Sequence, residues 1–471
     1  MEPSAEDRDV SAKDPHMPPM LRVGNVLAPK APETLAAAGL DEGVLTELGV
    51  KLAYSATRFT TDWVCKRLHI SLPLALEMLE QLVRESLIEV TLKSNEGRSH
   101  YRITERGRTV AERALEVCAY IGPAPVSIDS YGGMLRWQFA NTEEVRPENV
   151  KSALSGLVLS RKAAQLAGLA VSSGRSLFVY GPSGNGKSSL GRQIHAALLG
   201  DYWIPHCVGV RNTVIRIYDE QVHKRVEFAN DRSMSIDQRW VRVRRPLVVV
   251  GGELTLDFLD LIYSPTLRYY EAPPHLKANG GVFLVDDFGR ERVSADQLLN
   301  RFITPMEHQI DYFTMNTGQK IQMPLRHVLI IATNLDPSKV TDPAFLRRMG
   351  YRIYLGPPSP EDYARIFQAY AQRHGATVAP ELIEALLKRY RKQERELRAC
   401  EPRDLIERAR DICRFESKPL ELTPKVLDLA WTGYFGNESP GKRKAPQHAQ
   451  PEGSEVGVEE LLDKGSESAT D

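Results

Sequence analysis

The sequence predicts an α/β protein: a parallel sheet covered by helices, a purely helical C-terminal part, and a small domain of helices and a hairpin in front. Three observations predict this. From Glu148 to about Gly356, helical stretches alternate with short apolar runs such as Ser176–Tyr180, Val282–Val285 and Val328–Thr333. That alternation marks a parallel sheet buried on both faces. After Gly356 only helical periodicity remains, and before Glu148 helices bracket two strand-like runs. The 471 residues are enough for about three structural units. Hydrophobic residues make up 42% and charged residues 26%, the balance of a soluble protein able to bury real cores.

Lys+Arg and Asp+Glu each total 61, so the surface as a whole is not built for nucleic acid or anionic lipid. No apolar stretch approaches the ~18 residues of a membrane span, and the acidic start Met1–Asp7 has no signal-peptide core. The five cysteines are scattered without a C-x-x-C pair. These features point to the cytoplasm, with no disulfide or zinc framework.

Residues 1–40 carry Pro3, Pro15, Pro18, Pro19, Pro29 and Pro32 among charges and read as a disordered arm. Residues 41–120 begin with helices over Asp41–Ala56 and Thr61–Leu68. A third is capped by Ser71, has Pro73 in its first turn, and runs to about Leu87. Strands Ile88–Leu92 and His100–Thr104 flank an Asn95-Glu96-Gly97 turn, and a helix covers Glu105–Ala119. This order resembles a winged helix-turn-helix domain. In that fold the Ser71 helix would lead into the DNA major groove. Here it presents Leu72, Pro73, Leu74, Ala75, Leu76 and Glu77, with Glu80 following, and no cation before Arg84. Carboxylates repel phosphates, so docking on a protein is favoured over DNA. The wing is more basic (Lys93, Arg98, His100, Arg102), which leaves DNA as the alternative.

Residues 121–147 read as a Pro/Gly linker with one helix near Ser130–Phe139, 148–357 as the α/β core, and 358–436 as a helical lid. The lid helices are Pro360–His374, Pro380–Arg391, Pro402–Phe415 and Thr423–Tyr434, and 437–471 reads as a second disordered tail. Alternating arginines over Arg239–Arg245 suggest a strand with one cationic face, or an edge strand protected by charge.

The sharpest signal is Gly181-Pro182-Ser183-Gly184-Asn185-Gly186-Lys187-Ser188, between the strand ending at Tyr180 and a helix running to Leu199. It matches G-x-x-x-x-G-K-[ST] in its required strand–loop–helix context. Glycines let successive backbone N–H groups curl around phosphate oxygens, and the helix N-terminus adds positive potential. Lys187 is placed for the β- and γ-phosphates, Ser188 for Mg²⁺, and Ser189 continues the cradle, so ATP and Mg²⁺ are the expected ligands. Downstream, Val282–Val285 ends in Asp286-Asp287. The first carboxylate suits the metal, the second the attacking water.

With these motifs the chain resembles the AAA+ ATPases from about Glu148 to Tyr434. That family usually has Glu where this chain has Asp287, and the shorter side chain implies slower turnover. The resemblance assigns Asn334, at the end of Val328–Thr333, the sensor-1 role on the γ-phosphate or lytic water. It makes Arg348, then Arg347, the arginine finger reaching a neighbouring subunit's nucleotide, and Arg403 the sensor-2 residue. It therefore implies a homo-oligomer, a hexameric ring by expectation. A hairpin between Asp257 and Pro274 and a second one over Ile310–Met323 resemble the helix-2-insert layout of MoxR-type ATPases, magnesium chelatases and enhancer-binding activators. The activators' G-A-F-T-G-A loop is absent; Gly251–Thr255 stands in its place. The implied activity is ATP hydrolysis coupled to remodelling of a protein partner. A DNA-associated ATPase, and an ATP-dependent switch with little turnover, are the alternatives.

Overall fold

The computed structural model describes residues 15–436 except 42, 93–98, 228–234, 292 and 338–342. The expected turn at 95–97 and the tail from 437 lie outside the described residues.

Five parallel strands form the central sheet, in the order Leu247–Val250, Val282–Phe288, Val328–Thr333, Leu177–Tyr180, Tyr351–Tyr354. The inner strands are apolar up to their C-terminal ends because both faces are covered, whereas the edge strand Tyr351–Tyr354 carries an exposed Arg352 and Tyr354. Successive side chains go to opposite sides. Leu177, Val179, Leu284 and Ile330 join one core with Leu190 and Ile194. Phe178, Phe283, Val285 and Ile331 join another with Phe302 and Leu329. Parallel pairing brings all five C-terminal ends to one edge. The phosphate-loop motif, both carboxylates and Asn334 therefore share that edge.

A second five-stranded sheet, of mixed direction, runs Ile262–Ser264, Tyr269–Glu271, Thr213–Arg216, Cys207–Val210, Val126–Ser127. The first hairpin insert supplies its outer two strands. The second insert pairs Ile310–Thr314 with Lys320–Pro324.

In the front region, helices Val44–Tyr54, Thr61–Leu68, Leu72–Arg84 and Glu105–Val117 surround a three-stranded sheet. That sheet adds Phe59–Thr60 to the two expected strands. The Ser71 cap read from the sequence is present, its Oγ accepting the Leu74 N–H; Thr104, read only as a strand end, also caps, its Oγ1 accepting the Gly107 N–H at 3.0 Å. The region is not separate from the rest. Its core of Leu74, Met78 and Leu82 continues into Cys207, Val214 and Tyr269 of the mixed sheet.

Two expectations are corrected here. Part of the expected disordered arm is folded: Met20–Val23 pairs with Val26–Pro29, and Trp203 Nε1 donates to the Leu27 carbonyl at 3.0 Å. Its many prolines terminate short edge pieces rather than preventing structure. The expected linker is also core. Helix Ile128–Asn141 buries Tyr131, Met134 and Leu135 completely, and Gln138 exchanges hydrogen bonds with the Trp203 backbone.

Within the arginine run, Arg239 and Arg242 are structural, whereas Arg244 is exposed. Arg239 is 5% exposed, bonded to Asp237 and to the Ala38 and Pro125 carbonyls. Arg242 pairs with Asp201 at 2.8 Å.

The chain divides into two compact units. The first takes in the described residues up to Ala369 together with Leu397–Pro402; the second is Tyr370–Glu396 and the described residues from Arg403 on. The second unit is helical, with Pro380–Lys392 and Pro424–Phe435 packing Tyr390 edge-on to Trp431 at 4.8 Å. Arg389 lies 4.5 Å over the Trp431 ring and bonds Asp428 at 2.6 Å.

Candidate functional site

The loop after Tyr180 needs its glycines for two different reasons. Gly181 has φ 137°, and a Cβ there would lie 2.2 Å from the Leu355 carbonyl oxygen. Gly186 has φ 86°, but nothing lies within 4 Å of where its Cβ would be, so its surroundings stay open to a ligand. Between them Pro182 is half-buried, Ser183 exposed, and Asn185 buried. Helix Lys187–Ile194 starts directly after Gly186, with Ser188 and Ser189 in its first turn. Lys187 is 6% exposed, and its Nζ donates to the Gly181 and Pro182 carbonyls, both at 2.9 Å. Burial lowers its pKa, and Asp287 and Asp286 oppose the shift.

The carboxylate strand meets this loop directly. Ser188 Oγ donates to Asp286 Oδ1 at 2.6 Å. A hydroxyl and a carboxylate in contact at a phosphate loop are the oxygen donors Mg²⁺ takes while phosphates and water fill its other positions. No group of three or more His, Cys, Asp or Glu side chains suited to a metal occurs among the described residues. A two-donor set that relies on the ligand's own phosphates fits that composition.

Asp287 adopts a left-handed backbone, φ 55°, where pairing with the neighbouring strand shifts register between Val285 and Phe288. Asp tolerates this conformation better than most residues, and a bulge re-aims the side chain. Asn334 Nδ2 donates to Asp287 Oδ1 at 3.0 Å. Thr333 Oγ1, fully buried, donates to the Phe288 carbonyl at 2.6 Å, tying the two strand ends together. Asp286, Asp287, Asn334 and the phosphate loop thus form one constellation.

Arg347 and Arg348 are elsewhere. Helix Pro343–Arg348 leads into Tyr351–Tyr354, and Gly350 N–H bonds Ser176 Oγ at the start of the phosphate-loop strand. Both arginines therefore flank the N-terminal edge of the sheet, and Arg348 pairs with Glu307. Arg403 belongs to the second unit, where its guanidinium bonds Asp404 at 2.9–3.0 Å.

Two contributors escaped sequence reasoning. Arg192 lies 3.6 Å from Asp286; its i+4 spacing from Ser188 on one helix was a readable signal. The loop is also clasped by Leu397–Pro402. Cys400 N–H donates to the Gly184 carbonyl at 2.8 Å and Ala399 N–H to Asn185 Oδ1 at 3.2 Å. No local pattern could reveal contacts so distant in sequence.

A protein family described as a domain of unknown function (DUF8689) matches residues 359–433. No curated protein matches the chain. Among solved structures, the chain is similar to NtrX from Brucella abortus in complex with ADP, at 15% identity and TM-score 0.39, over 64% of this chain and 60% of that one. It is similar to the same protein in complex with ATP at 14% identity and TM-score 0.35, over 68% and 62% of the two chains. The match thus spans less than two thirds of the NtrX chains. A point mutant of RuvB from Thermotoga maritima is similar at 14% identity and TM-score 0.35, over 64% of this chain and 74% of that one.

Proposed function

We propose that this chain is an AAA+-type ATPase that binds MgATP at Gly181–Ser189, hydrolyses it to ADP and phosphate at the boundary between copies of itself, and uses the cycle to remodel a protein partner in the cytoplasm. The observation that carries the reading is the meeting of Ser188 with Asp286 at 2.6 Å and of Asn334 with Asp287 at 3.0 Å beside one glycine-rich loop. The loop amides hold the phosphates, and Lys187 exchanges its carbonyl partners for phosphate oxygens. Magnesium held by Ser188 and Asp286 would offset phosphate charge. Asp287 accepts a proton from water as the water oxygen attacks the γ-phosphorus and the bond to the β-phosphate oxygen breaks; Asn334 fixes the carboxylate for that task. Asp287 is a methylene shorter than Glu, so turnover is slow.

Arg348, with Arg347 second, serves a neighbouring copy's nucleotide, which makes a ring-shaped homo-oligomer, a hexamer by the family's layout, the active form. Arg403 keeps the sensor-2 role that the family resemblance implies. A protein partner is favoured over DNA because the leading end of helix Leu72–Arg84 is already covered. Glu77 accepts the Leu35 N–H at 2.7 Å, and Ser71 bonds the Pro32 carbonyl. No helix among the described residues is long and apolar enough to cross a membrane.

Calorimetry with the full-length Lys187→Ala protein tests the loop. MgATP affinity should fall at least ~100-fold, the loss of a charge-assisted phosphate contact and its preorganised cradle. Unchanged affinity overturns the assignment.

A further inference from the structure

We infer that the cleft at the N-terminal edge of the parallel sheet is a second binding site, separate from the phosphate loop, for an oligophosphate anion. The cleft has a volume of about 700 Å³ and opens where the strands begin, beside Ser176, Gly281 and Gly350. The phosphate loop lies at the other end of the same strands. This volume falls within the range of about 300–1,000 Å³ that holds small ligands.

Its cations include Arg347 and Arg348, given above to a neighbouring copy's nucleotide, and the others are unevenly engaged. Arg245 is fully used: it donates to the Leu199 and Gly280 carbonyls and to Thr142 Oγ1, and stacks 4.3 Å over Tyr202. Arg326 is different. Its guanidinium lies 5.0 Å over the Phe139 ring, with no carboxylate partner among the described residues. Burial and the nearby Arg136 both press its pKa downward. Tyr202 opposes the shift, but a half-buried guanidinium without a carboxylate partner still gains from an anion.

The same wall continues to a second such cation. The Phe139 ring packs where a Cβ on Gly174 would lie, 2.8 Å away. The next residue, Arg175, is exposed and has no ion pair among the described residues. It covers Gly350, where a Cβ would come 2.5 Å from the Arg175 Cβ. Arg326 and Arg175 thus both line the one recess. Glu143 and Glu144 are exposed on its rim, so a single weak anion gains little there. Two spaced guanidinium forks match a ligand with several phosphate groups, which they can grip bidentately.

The test uses full-length Lys187→Ala protein, in which binding at the phosphate loop is weakened at least ~100-fold, and reads the part of the binding that the arginine replacements change. Sodium tripolyphosphate and ATP are titrated separately by calorimetry. Saturable binding is expected, weakening as salt rises. Adding Arg175→Ala and Arg326→Ala should weaken it at least tenfold, and Arg326→Lys should fall between, because it keeps the charge and loses the fork. Equal affinities for the two probes identify the free anion, and tighter ATP binding a nucleoside-borne one; either supports the site. Melting curves confirm folding, and Arg175→Ala alone gives the reading if the Arg326 variants melt early. No saturable heat from either probe at millimolar concentration, or binding unchanged by the arginine replacements, overturns the inference.

Discussion

The C-terminal edge of the parallel sheet and the front region are both tied by bonds between residues far apart in sequence, but they use their polar groups differently. At the edge, the cradle is nine contiguous residues, and Asp286 and Asp287 are neighbours in sequence. In the front region the bonds join distant segments of the chain to one another. Lys51 Nζ reaches the Cys118 carbonyl at 3.0 Å, Leu35 N–H reaches Glu77, and Arg239 bonds Ala38. The edge sacrifices packing to present polar groups, whereas the front region spends its polar groups on holding itself together. Changes at the edge should therefore remove chemistry and spare stability, and changes in front should do the reverse.

The largest separation is expected for Arg348→Ala: the arginine lies at the N-terminal edge of its own sheet, and on the proposal above it acts at the C-terminal edge of a neighbouring copy. A finger arginine that neutralises transition-state charge contributes about 10³-fold or more to turnover. Its pair with Glu307 is partly exposed, with side chains 33% and 40% accessible, and such pairs add at most about 1 kcal/mol of stability. Phosphate release should fall on the order of 10³-fold while MgATP affinity and melting temperature hold. Turnover within a few-fold of wild type would remove the arginine from the chemistry.

The converse is Met78→Ala in the front core. Met78 has no exposed surface and packs with Leu74 and Leu82. Large-to-small replacement there should cost about 2–5 kcal/mol in denaturant unfolding. MgATP affinity of the folded protein should stay within twofold. A parallel loss of affinity would mean that the two regions are energetically one, and the contrast would fail.

The same contrast explains what could be read from sequence. The parallel sheet was legible because a strand buried on both faces is a plain apolar run, and the phosphate loop because its chemistry dictates residue type and spacing together. Asn334 was legible only as a polar stop after such a run. The fold of Met20–Pro29 was not legible: its order comes from bonds to Trp203 and to the backbone at Ser235 and Asp237, far away in sequence. Helix Ile128–Asn141 was readable as a helix, but its complete burial was not. Gly133, a poor helix former, is there because the chain passes close by; a Cβ on it would meet the Met17 backbone at 2.9 Å. The covering of Ser71 and Glu77 by Pro32–Leu35 likewise requires tertiary structure, and it separates a groove-binding helix from a packed one.

The smallest expected effect sharpens the contrast through pH. His69, at the end of helix Thr61–Leu68, meets His206 edge-to-face at 4.7 Å, where the front region joins the mixed sheet. Burial lowers both pKa values, that of His206 to about 3, and Arg225 acts on both rings in the same direction. His206 also packs on Tyr218, and His69 Nδ1 lies 3.2 Å from the Gln238 carbonyl. In the unfolded chain both histidines take up protons near pH 6.5, whereas in the folded protein His206 stays neutral down to about pH 3 and His69 takes up its proton at lower pH than when unfolded. The unfolded state therefore binds more protons below about pH 6.5, and stability falls as pH is lowered from there, for His206 down to about pH 3. Each such histidine steepens that fall by at most about 1.4 kcal/mol per pH unit. His206→Gln should flatten the acid limb between pH 6 and 5 by up to about that slope while leaving MgATP affinity at pH 7 unchanged. An acid limb with the same slope in the variant would show that the junction does not hold His206 neutral, and that the front region's acid sensitivity originates elsewhere.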